Sequence, residues 1–417
     1  MSPVVGREGV ARHLGRDHGW LGSPTPGLFE IDESSDDPFV RYRRLSWTHQ
    51  HALSEGWDDA RYLDAVARIE AAIAGVDGAG FAVTPFGAQP GLDHGGVTVS
   101  VKDETHNVSA SHKARHLMGL ALRLAVDDVD PGRRLAIASC GNAAVGAAVV
   151  ARAAGRPLDV YIPVWADEAV VARLDDLGAR IHVCGRRPGE VGDPTFARFR
   201  DAVDAGSVAF GVQATENPWT IDGGKTIGWE LAEAFADAGS VPDHLFVQIG
   251  GGALAASCVQ GLVDAHGSGL IEDLPRFHAV QAEGCAPLVR AWDLLAGVGD
   301  AEHAVAAAIA QPDRFMWAWD DPHSAATGIL DDVTHDWIPV VWSMYLTDGF
   351  PVTAPEAAIV HAHRHARTVT DIAVSATGTA GYAGLCTLVE RGGTHDGETA
   401  TVLFTGRDFG PAPTAAA

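Results

Sequence analysis

The chain has 417 residues, enough for a sizeable core in two lobes, and its 47% apolar and 20% charged residues are the balance of a soluble globular enzyme. A formal net charge of -24 argues against nucleic acid or an anionic membrane as partner of the surface as a whole. Five scattered cysteines without a Cys-x-x-Cys pair argue against a disulfide framework and a zinc ribbon.

In chain order, residues 1–82 are polar and weakly patterned. They are expected to form an N-terminal extension packing on the larger lobe, with one helix over 58–73. No apolar stretch near the start suits a signal peptide. The most apolar region, 135–154, is broken by Asn142 and closes on Arg152, so no membrane span is expected and a cytoplasmic location follows by default. A strand is expected over 97–102, then a helix opening at Lys113 and running to 125. Residues 135–138 form a short apolar strand, and Ser139-Cys140-Gly141-Asn142 a turn. An alanine-rich helix over 143–154 follows and ends at Gly155. A strand (159–163), a helix (167–177) and a strand (179–183) complete a βαβαβ alternation, the mark of a parallel sheet covered by helices. The alternation resumes with helix 219–238, strand 244–249, helix 253–265 and strand 277–281, and closes with helix 378–390 and strand 399–404. Between 286 and 350 the pattern blurs. Trp292, Trp317, Trp319, Trp337 and Trp342 there read as core or subunit interface rather than a ligand platform. Residues 411–417 are expected to be disordered.

Against 27 arginines the chain carries three lysines, Lys102, Lys113 and Lys225. Arginine stays protonated in proteins, whereas a lysine amine can lose its proton and attack a carbonyl carbon. Lys113 follows the small polar run 107–112 and opens a helix, whose positive end favours the neutral amine. The amides of the Ser139–Asn142 turn point outward from a helix N-terminus and suit a carboxylate. The Asn142 amide could donate to a phenolate oxygen or simply cap the helix. Gly250-Gly251-Gly252-Ala253-Leu254 is again a strand–turn–helix junction, and its glycines let the backbone wrap a phosphate. Thr405 ends the last strand at the edge where open α/β sheets bind ligands. An amine, a phosphate cradle, an amide and a hydroxyl together describe a site for pyridoxal phosphate.

In these segments the chain resembles the tryptophan-synthase-β-like superfamily of pyridoxal enzymes (fold type II), nearest to threonine synthases and threonine/serine dehydratases. The match covers about three quarters of the chain. It includes 102–107 (Lys-Asp-Glu-Thr-His-Asn), 111–115 (Ser-His-Lys-Ala-Arg), 139–142, 224–230 (Gly-Lys-Thr-Ile-Gly-Trp-Glu), 250–254, 281–287 and 326–329 (Ala-Thr-Gly-Ile). The resemblance implies an α/β, two-lobed catalytic domain over 83–410. A small mobile lobe of about 111–225 would close over substrate against a large lobe of 83–110 and 226–410. It implies a Schiff base at Lys113, Asn142 at the cofactor's 3′ oxygen, residues 250–254 around its phosphate and Thr405 at the pyridine nitrogen. Ser139, Cys140, Gly141 and Asn142 would hold the substrate carboxylate. A homodimer is expected by analogy.

Two positions depart from the pattern. His112 stands where most relatives have Phe, as in tryptophan synthase β chains, and Ala114 stands where threonine synthases carry Asp. The expected activity is β-elimination of threonine or serine to a 2-oxo acid and ammonia. The alternative is threonine synthesis from phosphohomoserine, or another β-replacement. Threonine synthesis needs cations for a second phosphate, for which Arg115 and Lys225 are the local candidates.

Other readings are weaker. Gly250-x-Gly252-x-x-Ala255 fits a dinucleotide fingerprint, but the next strand ends near Glu283, too far on for the acidic residue that motif wants. Glu283 itself either orients the cofactor loop or caps the strand. Lys102 and Lys225 read as ion-pair or loop-anchoring residues. His361 and His365 share a helix face without a third ligand, so no metal is expected. Cys140 reads as packing unless it is a thiolate.

Overall fold

The computed structural model describes residues 19–190 and 192–408. The tail at 411–417 and the first part of the extension lie outside the described residues. Two sheets organise the rest. The larger has strand order β1-β2-β10-β7-β8-β9 and the smaller β5-β4-β3-β6. In chain order the strands are β1 (Phe86–Ala88), β2 (Thr98–Asp103), β3 (Leu135–Ala138), β4 (Leu158–Pro163), β5 (Arg180–Cys184), β6 (Val208–Ala209), β7 (His244–Gln248), β8 (Arg276–Ala282), β9 (Val352–Ala354) and β10 (Thr399–Phe404). Every ladder between them is parallel except β1 on β2. Buried parallel strands read as unbroken apolar runs, which is why Leu135–Ala138 and Leu158–Pro163 were visible in sequence. Helices cover both sheets, so the chain is a mixed α/β protein with two parallel sheets.

The core divides with the sheets. One cluster packs helix Thr220–Ala238 and helix Ala253–Ser268 on the large sheet. A second packs helix Lys113–Val126 and helix Asn142–Ala153 on the small one. The extension expected on the large lobe shares itself between them. Trp20 and Leu21 join the first cluster, whereas Phe39, Tyr62, Val66, Ile69 and Ile73 join the second. The expected helix at 58–73 runs Asp59–Asp77. Asp58 caps it by accepting from the Arg61 amide, and Gly78 stops it at φ 89°.

The blurred segment holds four short helices, Pro287–Leu295, Ala301–Ala310, Pro312–Phe315 and Trp337–Leu346. Its tryptophans differ. Trp337 and Trp342 are core, whereas Trp317 is exposed and stacks on Arg290 at 3.9 Å. No described helix is long and apolar enough to cross a membrane.

Glycine lets three helices touch at their backbones. A side-chain carbon on Gly119 would lie 2.7 Å from the Cα of Gly223, joining helix Lys113–Val126 to helix Thr220–Ala238. One on Gly228 would lie 2.9 Å from the Cα of Gly261 in helix Ala253–Ser268.

Candidate active site

Lys113 is the first residue of its helix, and the chain before it is pinned to the end of β10. Ser111 bridges Gly406, and the His112 amide donates to the Thr405 carbonyl at 3.1 Å. The strain of this approach shows at Ser109 and Ala110, whose φ values of 55° and 58° are left-handed for residues with a Cβ. Such a residue costs about 1–3 kcal/mol and persists only where its surroundings fix it. Here the Ser109 amide donates to Asp77 at 2.8 Å, and Ala110 both donates to Asn107 and accepts from Arg407.

The half-buried Lys113 amine makes no hydrogen bond or ion pair among the described residues. Burial holds it below the ordinary lysine value, against the attraction of Asp331 and Asp336. The other two lysines are spoken for. Lys102 pairs with Glu230 and donates to the Thr84 carbonyl at 2.7 Å. Lys225 pairs with Asp264 and donates to the Gly22 carbonyl at 2.6 Å.

Two histidines flank the amine from the protein side. His112 Nδ1 donates to the Thr405 carbonyl at 3.1 Å and His116 Nδ1 to the Thr220 carbonyl at 2.8 Å, leaving both Nε2 atoms buried without a partner. Burial pushes His112 well below the usual histidine range and His116 down to about 3, so both rings are neutral.

Asn142 does not cap its helix. Gly141 holds that position without a side-chain bond. The Asn142 side chain is therefore uncommitted, and its Nδ2 lies beside Gly406, 3.2 Å from where a Cβ would stand. The Gly141 and Asn142 amides donate to no described residue. Burial raises the Cys140 thiol, so it stays protonated. Thr405 Oγ1 accepts from Gln248 Nε2 at 2.9 Å, which leaves its own proton free to donate.

The glycine turn has the form an anion needs. The amides of Gly250, Gly251, Gly252, Ala253 and Leu254 donate to no described group. Gly252 takes φ 100° and packs so close to Val340 and the Asp336 carbonyl that a Cβ would lie 3.2–3.3 Å from them. Residues 329–336 support the turn from behind. Asp336 donates its amide to the Gly251 carbonyl at 2.7 Å, and the Asp331 carboxylate rests on Gly250. The structure thus brings Lys113, Asn142 and Thr405 around Ser111 and Gly406, while Asp331 and Asp336 sit against the glycine turn. This donor set fits pyridoxal phosphate: an unpartnered amine, a row of open amides and a hydroxyl with a proton to give.

Arg115 and Lys225, the candidates for a second phosphate, are not in the site. Arg115 is fully buried, with both Glu104 and Glu230 on its guanidinium, and Lys225 is buried on Asp264. Glu283 is exposed, its amide on the Ala354 carbonyl. His361 and His365 stack at 5.8 Å, with His365 on the Gly91 carbonyl. Sequence reasoning missed Gln248, Asp331 and Asp336. Gln248 ends the strand before the glycine turn, a place that could have marked it; the two aspartates carry no local signal.

Threonine synthase of Mycobacterium tuberculosis is 26% identical over 315 residues, which is 75% of this chain and 77% of the relative. A serine dehydratase-like protein of Rattus norvegicus is 28% identical over 170 residues, 40% of this chain and 48% of the relative. Among solved structures, the processed form of threonine deaminase isoform 2 from Solanum lycopersicum superposes with a TM-score of 0.61 at 16% identity, covering 92% of this chain and 94% of that one. Maize serine racemase superposes with a TM-score of 0.60 at 20% identity, covering 82% and 92%. Residues 79–406 match the family model described as pyridoxal-phosphate dependent enzyme, and the chain belongs to that family.

Proposed function

We propose that the protein is a lyase that eliminates the β-hydroxyl of serine or threonine, yielding a 2-oxo acid and ammonia. The observation that carries this reading is that neither cation expected to hold a second phosphate is available. Arg115 and Lys225 are consumed in buried ion pairs.

Pyridoxal phosphate, when bound, supplies an electron sink that acidifies the substrate's α C–H bond. In this reading the amides of residues 250–254 would hold its phosphate, Asn142 would donate to its 3′ oxygen and the Thr405 hydroxyl would serve its ring nitrogen. The turn at Ser139, Cys140, Gly141 and Asn142 holds the substrate carboxylate. Lys113, its basicity lowered by burial, takes the α proton. The smaller lobe, about residues 111–225, closes over the amino acid and excludes water. The enamine released after loss of the hydroxyl hydrolyses to oxo acid and ammonia.

Threonine synthesis from phosphohomoserine is the second reading, favoured by the match to threonine synthases over three quarters of the chain. Ammonia and phosphate release from threonine, serine and phosphohomoserine separates the two. Ammonia from threonine or serine is the expected result. Turnover of phosphohomoserine alone would overturn it.

A further inference from the structure

Beside the glycine turn one aromatic pair spans the two sheets. Phe196 stands on helix Pro194–Asp204, which lies on the small sheet, its Phe199 packed with Ala136 and Tyr161. His335 belongs to the segment that supports the glycine turn, and its Cδ2 lies 3.8 Å from where a Cβ on Gly251 would stand. The two half-buried rings meet with centroids 5.2 Å apart and planes inclined by 35°. The His335 ring makes no hydrogen bond among the described residues, so its neighbours Phe196 and Gly251 are what place it.

Further contacts close a circuit around the pair. The Arg200 guanidinium covers the Phe196 ring at 4.8 Å and pairs with Glu216 at 2.6 Å. One residue before Glu216, the Thr215 amide donates to the Asp336 carboxylate at 3.2 Å, as the Ala214 amide does. The Asp336 amide in turn donates to the Gly251 carbonyl at 2.7 Å. His335 thus reaches the small sheet, while its neighbour Asp336 fixes the chain that connects β6 to helix Thr220–Ala238. The ring pair joins two elements remote in sequence, and parting the sheets breaks it.

We propose that Phe196 and His335 are positioning residues whose ring contact clasps the small sheet shut against the glycine turn and so slows the escape of bound pyridoxal phosphate. On the reading above, the glycine turn and Asn142 grip the cofactor from opposite sheets. Release then requires the sheets to part, and parting them costs this contact. One aromatic pair shifts such an equilibrium about fivefold. The clasp rests on the lobe closure proposed above and is independent of which amino acid the lobe closes on.

The test follows release of pyridoxal phosphate from the holoenzyme by the decay of its bound absorbance, with alkaline phosphatase in excess to destroy what escapes. His335→Ala and Phe196→Leu should each release it about fivefold faster. Phe196→Leu keeps most of the bulk that packs its helix, so its thermal unfolding should stay near that of wild type. The double variant should release no faster than either single one, because each change already breaks the pair. His335→Phe, which keeps a ring and gives up the imidazole, should release at the wild-type rate, a rescue that a merely structural histidine would not show. Unchanged release in His335→Ala, losses that add in the double variant, or a His335→Phe as leaky as His335→Ala each overturns the clasp. A wild-type protein that turns over phosphohomoserine alone overturns the hydroxyl reading and leaves the clasp standing.

Discussion

Arg115 and Lys113 stand two residues apart on one helix, and their surroundings differ in every respect that matters to a buried cation. Arg115 is fully enclosed, and each guanidinium nitrogen is used, on Glu104, Glu230, Thr226 and Thr84. Lys102 and Asn107 complete that network on the same two glutamates. Around Lys113 the reverse holds: an unpaired amine, open amides on the glycine turn, and buried Ser111 Oγ and His112 Nε2 atoms without partners. Buried polar groups are nearly always satisfied, so a concentration of unsatisfied ones marks where the atoms of a ligand belong. The satisfied network is the scaffold that aims them.

Four changes would break or sharpen this contrast. Lys113→Ala should abolish borohydride fixation of the cofactor at position 113 and lower activity by on the order of 10³-fold or more, with little effect on unfolding. Fixation elsewhere in the chain would show that the wrong amine has been identified. On the scaffold side, Glu230→Ala strands Lys102 and Arg115 in the interior and should cost about 3–5 kcal/mol in denaturant unfolding. A cost near zero would mean that the network is wetter than it looks.

Gly252→Ala tests the cradle. Its φ of 100° costs an alanine about 1–2 kcal/mol, and the added methyl crowds Val340. The dissociation constant for pyridoxal phosphate, titrated by absorbance, should rise about tenfold. The smallest effect is expected at Glu70, a half-satisfied carboxylate in the extension, where Oε1 accepts from the Phe81 amide and Oε2 is buried without a partner. Burial raises Glu70 to about 7 from its ordinary 4.5. A carboxyl whose folded value is raised contributes stability below its unfolded value and loses it as pH climbs to the folded one. Glu70→Gln should therefore be more stable than wild type at pH 8 in thermal unfolding, with the gap closing as pH falls to about 4.5. A gap independent of pH would show that the gain lies in packing.

Much of this was legible in the chain because strand–turn–helix junctions leave compact signatures. Ser139–Asn142 and Gly250–Leu254 each join a buried apolar strand to a helix, and the fold keeps those junctions where the pattern put them. Strands β1, β6 and β9 went unseen because two or three residues carry no periodicity. Charge was harder to read than shape. Lys225 reads as an ion-pair residue and is one, but Arg115 looked available because one of its two partners, Glu230, lies far along the chain. Asp331 went unnoticed for the same reason: its contact with Gly250 spans 81 residues and leaves no trace in the sequence around either.

The bare seam at Gly119 and Gly223 also sets how closely the two cores stand. It joins the helix that carries Lys113 to one that belongs to the other core, with no side chain between to act as a cushion. Six residues along an α-helix rise about 9 Å, so this contact sits that far along the helix from Lys113. A methyl group inserted there would meet the Gly223 backbone at 2.7 Å and force the two helices apart without replacing any side chain of the site.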